Sequence, residues 1–233
     1  MPALCFIAVT GTLVWVALWM ILKKIGMMPL AAAYEAVLID GAFDGMLKLT
    51  LPLYGYTVSG LIASVVFFRS RGEQEEGLKF EGSRGRWLEI SWISLSLLLT
   101  GGLAAFGVKE FKLIRGTDQA DVDIQVTASQ FSWDFFYPAT NIQSSKLILP
   151  KGKRVRLLLT SKDVVHAFWV PQFRVKQDAV PGKVVKLLFT PTVTGSYTLL
   201  CAELCGEEHT IMTAFVEVVE PEAFEGAMKE QNW

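Results

Sequence analysis

Twelve residues, Cys201-Ala202-Glu203-Leu204-Cys205-Gly206-Glu207-Glu208-His209-Thr210-Ile211-Met212, bring together two thiols, an imidazole and a thioether. The whole chain has only three cysteines and two histidines, so most of its soft ligands sit in this one segment. Thiolate sulfur and imidazole suit copper, and a pair of thiolates four residues apart can bridge two copper ions where one thiolate would serve a single ion. The chemistry implied is one-electron transfer at a dinuclear copper centre. His166, the second histidine, has to arrive from a neighbouring loop, Asp163 to Trp169. Between the cysteines, Glu203 can offer its main-chain carbonyl and leave its carboxylate to point elsewhere.

Three other chemistries compete for the same residues. A Cys201–Cys205 disulfide would close a very short loop, constrain the unfolded chain little, and leave His166, His209 and Met212 without a role. Zinc accepts two cysteines and two histidines, but its pairs usually come as C-x2-4-C and H-x3-5-H, and a methionine would be out of place. A mononuclear blue-copper site needs two histidines, one cysteine and a long axial methionine, which makes the second cysteine surplus.

The elements that position these ligands are short strands. From Asp121 onward, apolar residues alternate in short runs: Val122, Ile124 and Val126, then Leu147 to Leu149, then Val155, Leu157 and Leu159. Breaks fall at Pro138, Pro150-Lys151-Gly152, Pro171, Pro181-Gly182, Pro191 and Gly195. Such a pattern predicts an antiparallel β domain of some eight strands, a sandwich or Greek-key barrel. The run Tyr197 to Leu200 delivers Cys201 into a loop, Gly206 lets that loop turn back, and Met212 is expected to begin the strand that runs to Val219.

Ahead of that domain the chain is too apolar to be an ordinary soluble protein: 52% of its 233 residues are apolar, and its mean hydropathy is positive. A net charge of −1, from 22 basic and 23 acidic residues, provides no pull toward nucleic acid. Cys5, alone in an apolar run, reads as a small buried side chain. Residues 3–22 are long enough to cross a bilayer and end at Lys23-Lys24, an order that fits an uncleaved span better than a signal peptide. Residues 25–45 read as an interfacial helix or connector against the membrane surface. A second span is expected from Met46 to Phe68, with Lys48 snorkelling at its end, and a third from Trp87 to Val108. The loop 69–87, rich in arginine, has the character of a cytoplasmic segment, which puts everything after Lys109 on the outer, periplasmic side. Lys23-Lys24, left outside, fits this arrangement poorly. The boundaries expected are 1–45 for the extra span and connector, 46–108 for a helical hairpin, 109–220 for the copper domain and 221–233 for a polar, partly helical tail. Asp40, Asp44 and Lys48 read as solvated or snorkelled, with no functional role.

The motif C-x-E-x-C-G-x-x-H-x-x-M at 201–212, with Asp163-Val164-Val165-His166-Ala167-Phe168-Trp169-Val170-Pro171 and Lys176-Gln177-Asp178-Ala179-Val180-Pro181-Gly182 before it, resembles subunit II of haem-copper cytochrome c oxidases. The resemblance runs from about the second apolar span to the end of the β domain. It implies a membrane-anchored fold, transmembrane helices followed by a cupredoxin-like Greek-key β domain. By the same likeness Cys201 and Cys205 bridge two coppers, His166 and His209 are terminal ligands, and Met212 and the Glu203 carbonyl are weak axial ligands. The Glu203 carboxylate would reach a magnesium or manganese ion shared with subunit I. Two departures stand out. Phe131 occupies the place in Gln130-Phe131-Ser132-Trp133 where the family has the tryptophan that receives the electron, leaving Phe131 and Trp133 as candidates for that step, and the first span is additional to the family's two.

The function implied is a one-electron relay. Cytochrome c or a similar small donor docks near Asp134, Asp163, Glu207 and Glu208, and the electron passes through copper to a haem in subunit I, where oxygen is reduced to water. No C-x-x-C-H occurs, so no haem c is attached to this chain. Related readings are a copper-free structural subunit of a quinol oxidase, a membrane-tethered copper carrier, and the copper subunit of a nitric oxide reductase. Intact ligands at all four side-chain positions oppose the first, and a loop tightened by Gly206 opposes the second.

Overall fold

The computed structural model describes residues 2–26, 28–69 and 83–230, and its contacts divide the chain into a helical unit and a β unit. The helical unit contains three helices long and apolar enough to cross a membrane: α1 (Pro2–Ile25), α2 (Tyr34–Phe67) and α3 (Ser83–Arg115). Their large apolar side chains, Leu13, Leu53 and Leu98 among them, are mostly exposed, as suits helices whose backbone bonds are satisfied internally and whose side chains face lipid. Within this unit α1 packs on α2. Gly55 lets α2 approach the Gly11 carbonyl, where a Cβ would come within 2.7 Å of it, and Thr12 Oγ1 lies 3.0 Å from the Tyr56 hydroxyl.

Both later helices are longer than the apolar runs that predict them. α2 starts twelve residues before Met46 and continues unbroken through Pro52, and α3 extends to Arg115. Lys48, expected to snorkel at a helix end, lies inside α2, with its Nζ 2.6 Å from Asp44 one turn earlier. Most of the charged loop, residues 70–82, lies outside the described residues, as do 231–233 of the tail.

The β unit holds ten strands where the turn signals predict some eight. They are β1 (Val122–Ser129), β2 (Ser132–Tyr137), β3 (Ile142–Ser144), β4 (Leu147–Pro150), β5 (Val155–Ser161), β6 (His166–Val170), β7 (Val175–Ala179), β8 (Val185–Phe189), β9 (Gly195–Cys201) and β10 (Thr213–Val219). One sheet has the order β3-β2-β1-β5-β8 and the other β4-β10-β9-β6-β7, so the chain passes repeatedly from sheet to sheet. β1 runs parallel to β5 and β4 parallel to β10, and the other pairs are antiparallel. The cupredoxin-like sandwich is as expected, but the wholly antiparallel pairing is not: alternating apolar positions mark a buried face and carry no information on strand direction. Alternation sets its core: Ile124, Val126 and Ala128 of β1 and Val155, Leu157 and Leu159 of β5 point inward against Phe135, Phe168, Phe189 and Leu199. Tyr137 ties β2 to β4 from inside. Its hydroxyl accepts from Ile148 N at 2.7 Å and donates to Ile148 O at 3.0 Å, and burial pushes its pKa above the usual tyrosine range. The tail folds back as α4 (Pro221–Glu230), whose Phe224 and Met228 pack against this core.

The segment read as an interfacial connector belongs instead to the β unit. Residues 28–41 group with it, and Ala32, Ala33 and Ala36 are wholly buried there. Ala32 N donates to Gln172 O at 2.9 Å, and Tyr34 N donates to Thr190 O at 2.9 Å. Two carboxylates hold the segment in place. Glu35, 1% exposed, accepts from Arg154 Nη1 at 3.0 Å and from Thr190 N at 2.8 Å. Asp40 accepts from Arg174 Nε at 2.8 Å and Nη2 at 2.9 Å, so it is a bidentate partner and not a solvated acid. Local pattern could not show this, because the partners lie more than a hundred residues away in the sequence.

Candidate metal centre

Every predicted ligand comes from the second sheet or its loops. β9 ends at Cys201, whose N–H donates to Met212 O at 3.1 Å, while Ala202 N donates to Ala167 O at 2.9 Å. Phe168 of β6 stands opposite Cys201 in register. Gly206, at φ +143°, takes a conformation that side chains rarely adopt and lets the loop reverse. Residues 209–211 then form a short 3-10 turn, with His209 N donating to Gly206 O at 3.2 Å. Met212 closes that turn and does not begin a strand; β10 starts one residue later, so the thioether is placed by the turn.

The donor atoms form a connected series. His166 Nδ1 lies 3.8 Å from Cys201 Sγ, Cys201 Sγ 3.8 Å from Cys205 Sγ, and Cys205 Sγ 3.6 Å from His209 Nδ1. The Glu203 carbonyl is 3.3 Å from Cys201 Sγ, and Met212 Sδ is 3.7 Å from Cys205 Sγ. The sulfurs stand well beyond the roughly 2.05 Å of a disulfide. The donor atoms of His166, Cys201 and Cys205 all lie within 4.8 Å of one another, and all three residues are buried. Six donors, including a thioether and a carbonyl, exceed a tetrahedral zinc shell, and thiolate, imidazole and thioether together make a copper set.

Charge around the ligands is arranged by hydrogen bonds. His166 is completely buried, and its Nε2 lies 2.8 Å from Asp163 Oδ1, leaving Nδ1 to face Cys201. Such a carboxylate fixes ring orientation and makes the imidazole a better ligand. Burial alone would raise the Asp163 carboxyl. Hydrogen bonds from His166 and from the N–H groups of Gln130 and Val164 outweigh it and hold the carboxyl well below the usual range. Cys205 moves the other way: burial first, then the neighbouring Cys201, push its thiol up to about 11.

The remaining sequence candidates separate. Trp133 is 3% exposed, with its ring edge-on to His166 at 6.2 Å and to Phe168 at 6.0 Å. Phe131 is half-buried beside Gly206. Asp134 pairs with Lys162 at 3.2 Å. Glu203, Glu207 and Glu208 are exposed on the ligand loop, next to exposed Leu204 and Ile211. The sequence reading did not single out Gln130 as part of the site. Nor did it identify Asp163 as the partner of a ligand histidine, although its place three residues before His166 was an available signal.

Residues 121–219 match the family model described as cytochrome c oxidase subunit II, periplasmic domain. The chain is 31% identical to cytochrome c oxidase subunit 2 of Thermostichus vulcanus, over 96% of this chain and 84% of that one. The chain belongs to the cytochrome c oxidase subunit II family. The family's Synechocystis member is 28% identical, over 86% of this chain and 74% of its own length. A crystal structure of the periplasmic domain of cytochrome oxidase subunit II from Bradyrhizobium japonicum aligns at 30% identity over 49% of this chain and 96% of that one, with a TM-score of 0.47. Membership makes this chain a membrane-anchored electron-transfer subunit of an oxidase, with a copper-binding domain of periplasmic type.

Proposed function

We propose that the chain carries electrons singly from cytochrome c, or a similar small donor, through a dinuclear copper centre to a haem in subunit I, where oxygen is reduced to water. Cys201, Cys205, His166 and His209 would hold the copper pair through their side chains, with Met212 and the Glu203 carbonyl as weaker donors. The observation that carries this reading is the pair of sulfurs 3.8 Å apart, each with an imidazole nitrogen of its own within 3.8 Å. When bound, the copper pair supplies a carrier that takes up and gives back one electron, with the charge shared over two ions.

The protein's part is to keep the donors still. Strand β9 holds the Cys201 sulfur, the 3-10 turn sets His209 and the Met212 thioether, the loop between them carries Cys205, and Asp163 holds His166, so little has to move when charge arrives. Phe131, half-buried beside Gly206 of the ligand loop, is where the electron arrives, and Trp133 lies against His166. Asp134, Asp163, Glu207 and Glu208 guide a basic donor, and exposed Leu204 and Ile211 add apolar contact. The exposed Glu203 carboxylate reaches outward to a magnesium or manganese ion shared with subunit I. Three spans anchor the domain in a bacterial-type inner membrane, with the charged segment between α2 and α3 on the cytoplasmic side and the copper domain outside.

The test is metal stoichiometry and colour of the purified full chain. Two coppers per chain with a purple mixed-valence spectrum are expected, and Cys201→Ser and Cys205→Ser should each abolish that spectrum. One copper per chain with a mononuclear spectrum would overturn the reading.

A further inference from the structure

The turn between β1 and β2 lies on the first sheet, yet Gln130 in that turn touches both halves of a ligand set built on the second. Its backbone N–H donates to Asp163 Oδ2 at 2.7 Å, and the other oxygen of that carboxylate lies 2.8 Å from His166 Nε2. Its side chain turns toward the ligand loop, where Nε2 donates to the Cys205 carbonyl at 2.5 Å. The fit is close: a Cβ on Gly206 would meet Gln130 Nε2 at 2.9 Å and Phe131 Cζ at 3.0 Å. One residue thus connects, through one intermediary on one side and directly on the other, to an imidazole donor and to the peptide plane that carries a thiolate donor.

We propose that Gln130 is a positioning residue for the metal centre, a brace between the sheets that sets His166 through Asp163 and the Cys205 sulfur through its own carbonyl. Without the side-chain amide, the Cys205–Gly206 peptide loses its only cross-sheet tether among the hydrogen bonds of the described residues, and the loop can drift relative to His166. A hydrogen bond of this kind is worth about 1 kcal/mol net, which is roughly a fivefold change in a rate or equilibrium. The assignment rests on the dinuclear reading, and the unmodified chain tests that reading separately through its copper count.

The experiment compares the copper-loaded full chain in detergent with Gln130→Met, which keeps the length and removes the donor, and with Gln130→Asn, which keeps an amide but is one methylene short. Copper loss to a chelator should be about fivefold faster in both, with an altered copper hyperfine pattern in the mixed-valence EPR spectrum and a metal-free melting temperature lowered by no more than about 3 °C. Combining Gln130→Met with Asp163→Asn should accelerate loss by less than the product of the two single effects, because the two residues share one brace. Unchanged loss rates and an unchanged EPR pattern in both single variants would overturn the proposal. So would a large drop in the metal-free melting temperature with an unaltered EPR pattern, which is the mark of a purely structural role. If Gln130→Met does not assemble, Gln130→Asn carries the test by the same criteria. One copper per unmodified chain would instead overturn the dinuclear reading.

Discussion

Replacing Glu35 with alanine should destabilise the copper domain, although residue 35 precedes its first strand by more than eighty positions. The Glu35 side chain is 1% exposed and that of Arg154 19% exposed, so the pair is largely out of water. Removal of the carboxylate takes the acceptor from the Thr190 N–H and leaves the guanidinium of Arg154 with only the Arg115 carbonyl, at 2.8 Å, among the hydrogen bonds described for it. Breaking one side of a buried ion pair costs about 3–5 kcal/mol, and partial exposure of Arg154 puts the expected loss near the lower end, about 3 kcal/mol. For a unit of this size each kcal/mol lowers the melting temperature by about 3 °C, so a drop of about 9 °C is expected. Glu35→Gln keeps an oxygen for Thr190 N and should lose about half as much. The assay is thermal unfolding of the full chain in detergent, followed by tryptophan fluorescence and by the colour of the copper centre, with Leu157→Ala as a core control. A Glu35→Ala melting temperature within 2 °C of the unmodified chain, with Leu157→Ala clearly shifted, would show that residues 28–41 are not part of the cooperative unit.

Two further outcomes follow from the charges near the site. The Cys205 thiol, raised from 9.0 to about 11, stays protonated longer in the folded metal-free chain than in the unfolded one. Its contribution to stability is therefore complete below pH 9 and lost as pH rises to about 11, and melting of the metal-free chain over that window should show a step that Cys205→Ser lacks. Donor oxidation should slow as salt is raised. Changing Glu207 and Glu208 to glutamine should flatten that salt dependence more than Asp134→Asn, because Asp134 is already paired with Lys162; an equal or larger effect of Asp134→Asn would reverse that ranking.

The candidate donors were legible in the sequence because their chemistry is local: five of the six lie within twelve residues, Cys201 to Met212, and their types alone narrow the metal. The sandwich was legible for a similar reason, since alternating apolar positions such as Val155, Leu157 and Leu159 require one face of a strand to be buried. Element ends were less so. Tyr34 to Gly45 has the composition of a connector, but the helix continues through it, and Ala36, with Ala32 and Ala33 just before it, is buried by tertiary contacts.

The sequence by itself determined which atoms can bind metal and that strands must present them, because donor chemistry and two-residue periodicity are written along the chain. Only the tertiary structure decided which groups would answer one another across it: Asp163 and Gln130 at the ligands, Glu35 with Arg154 and Asp40 with Arg174 in the clasp of residues 28–41. The physical reason is that a hydrogen bond depends on distance and direction in space. Partners brought together by folding two sheets face to face leave no periodic trace in the order of the residues.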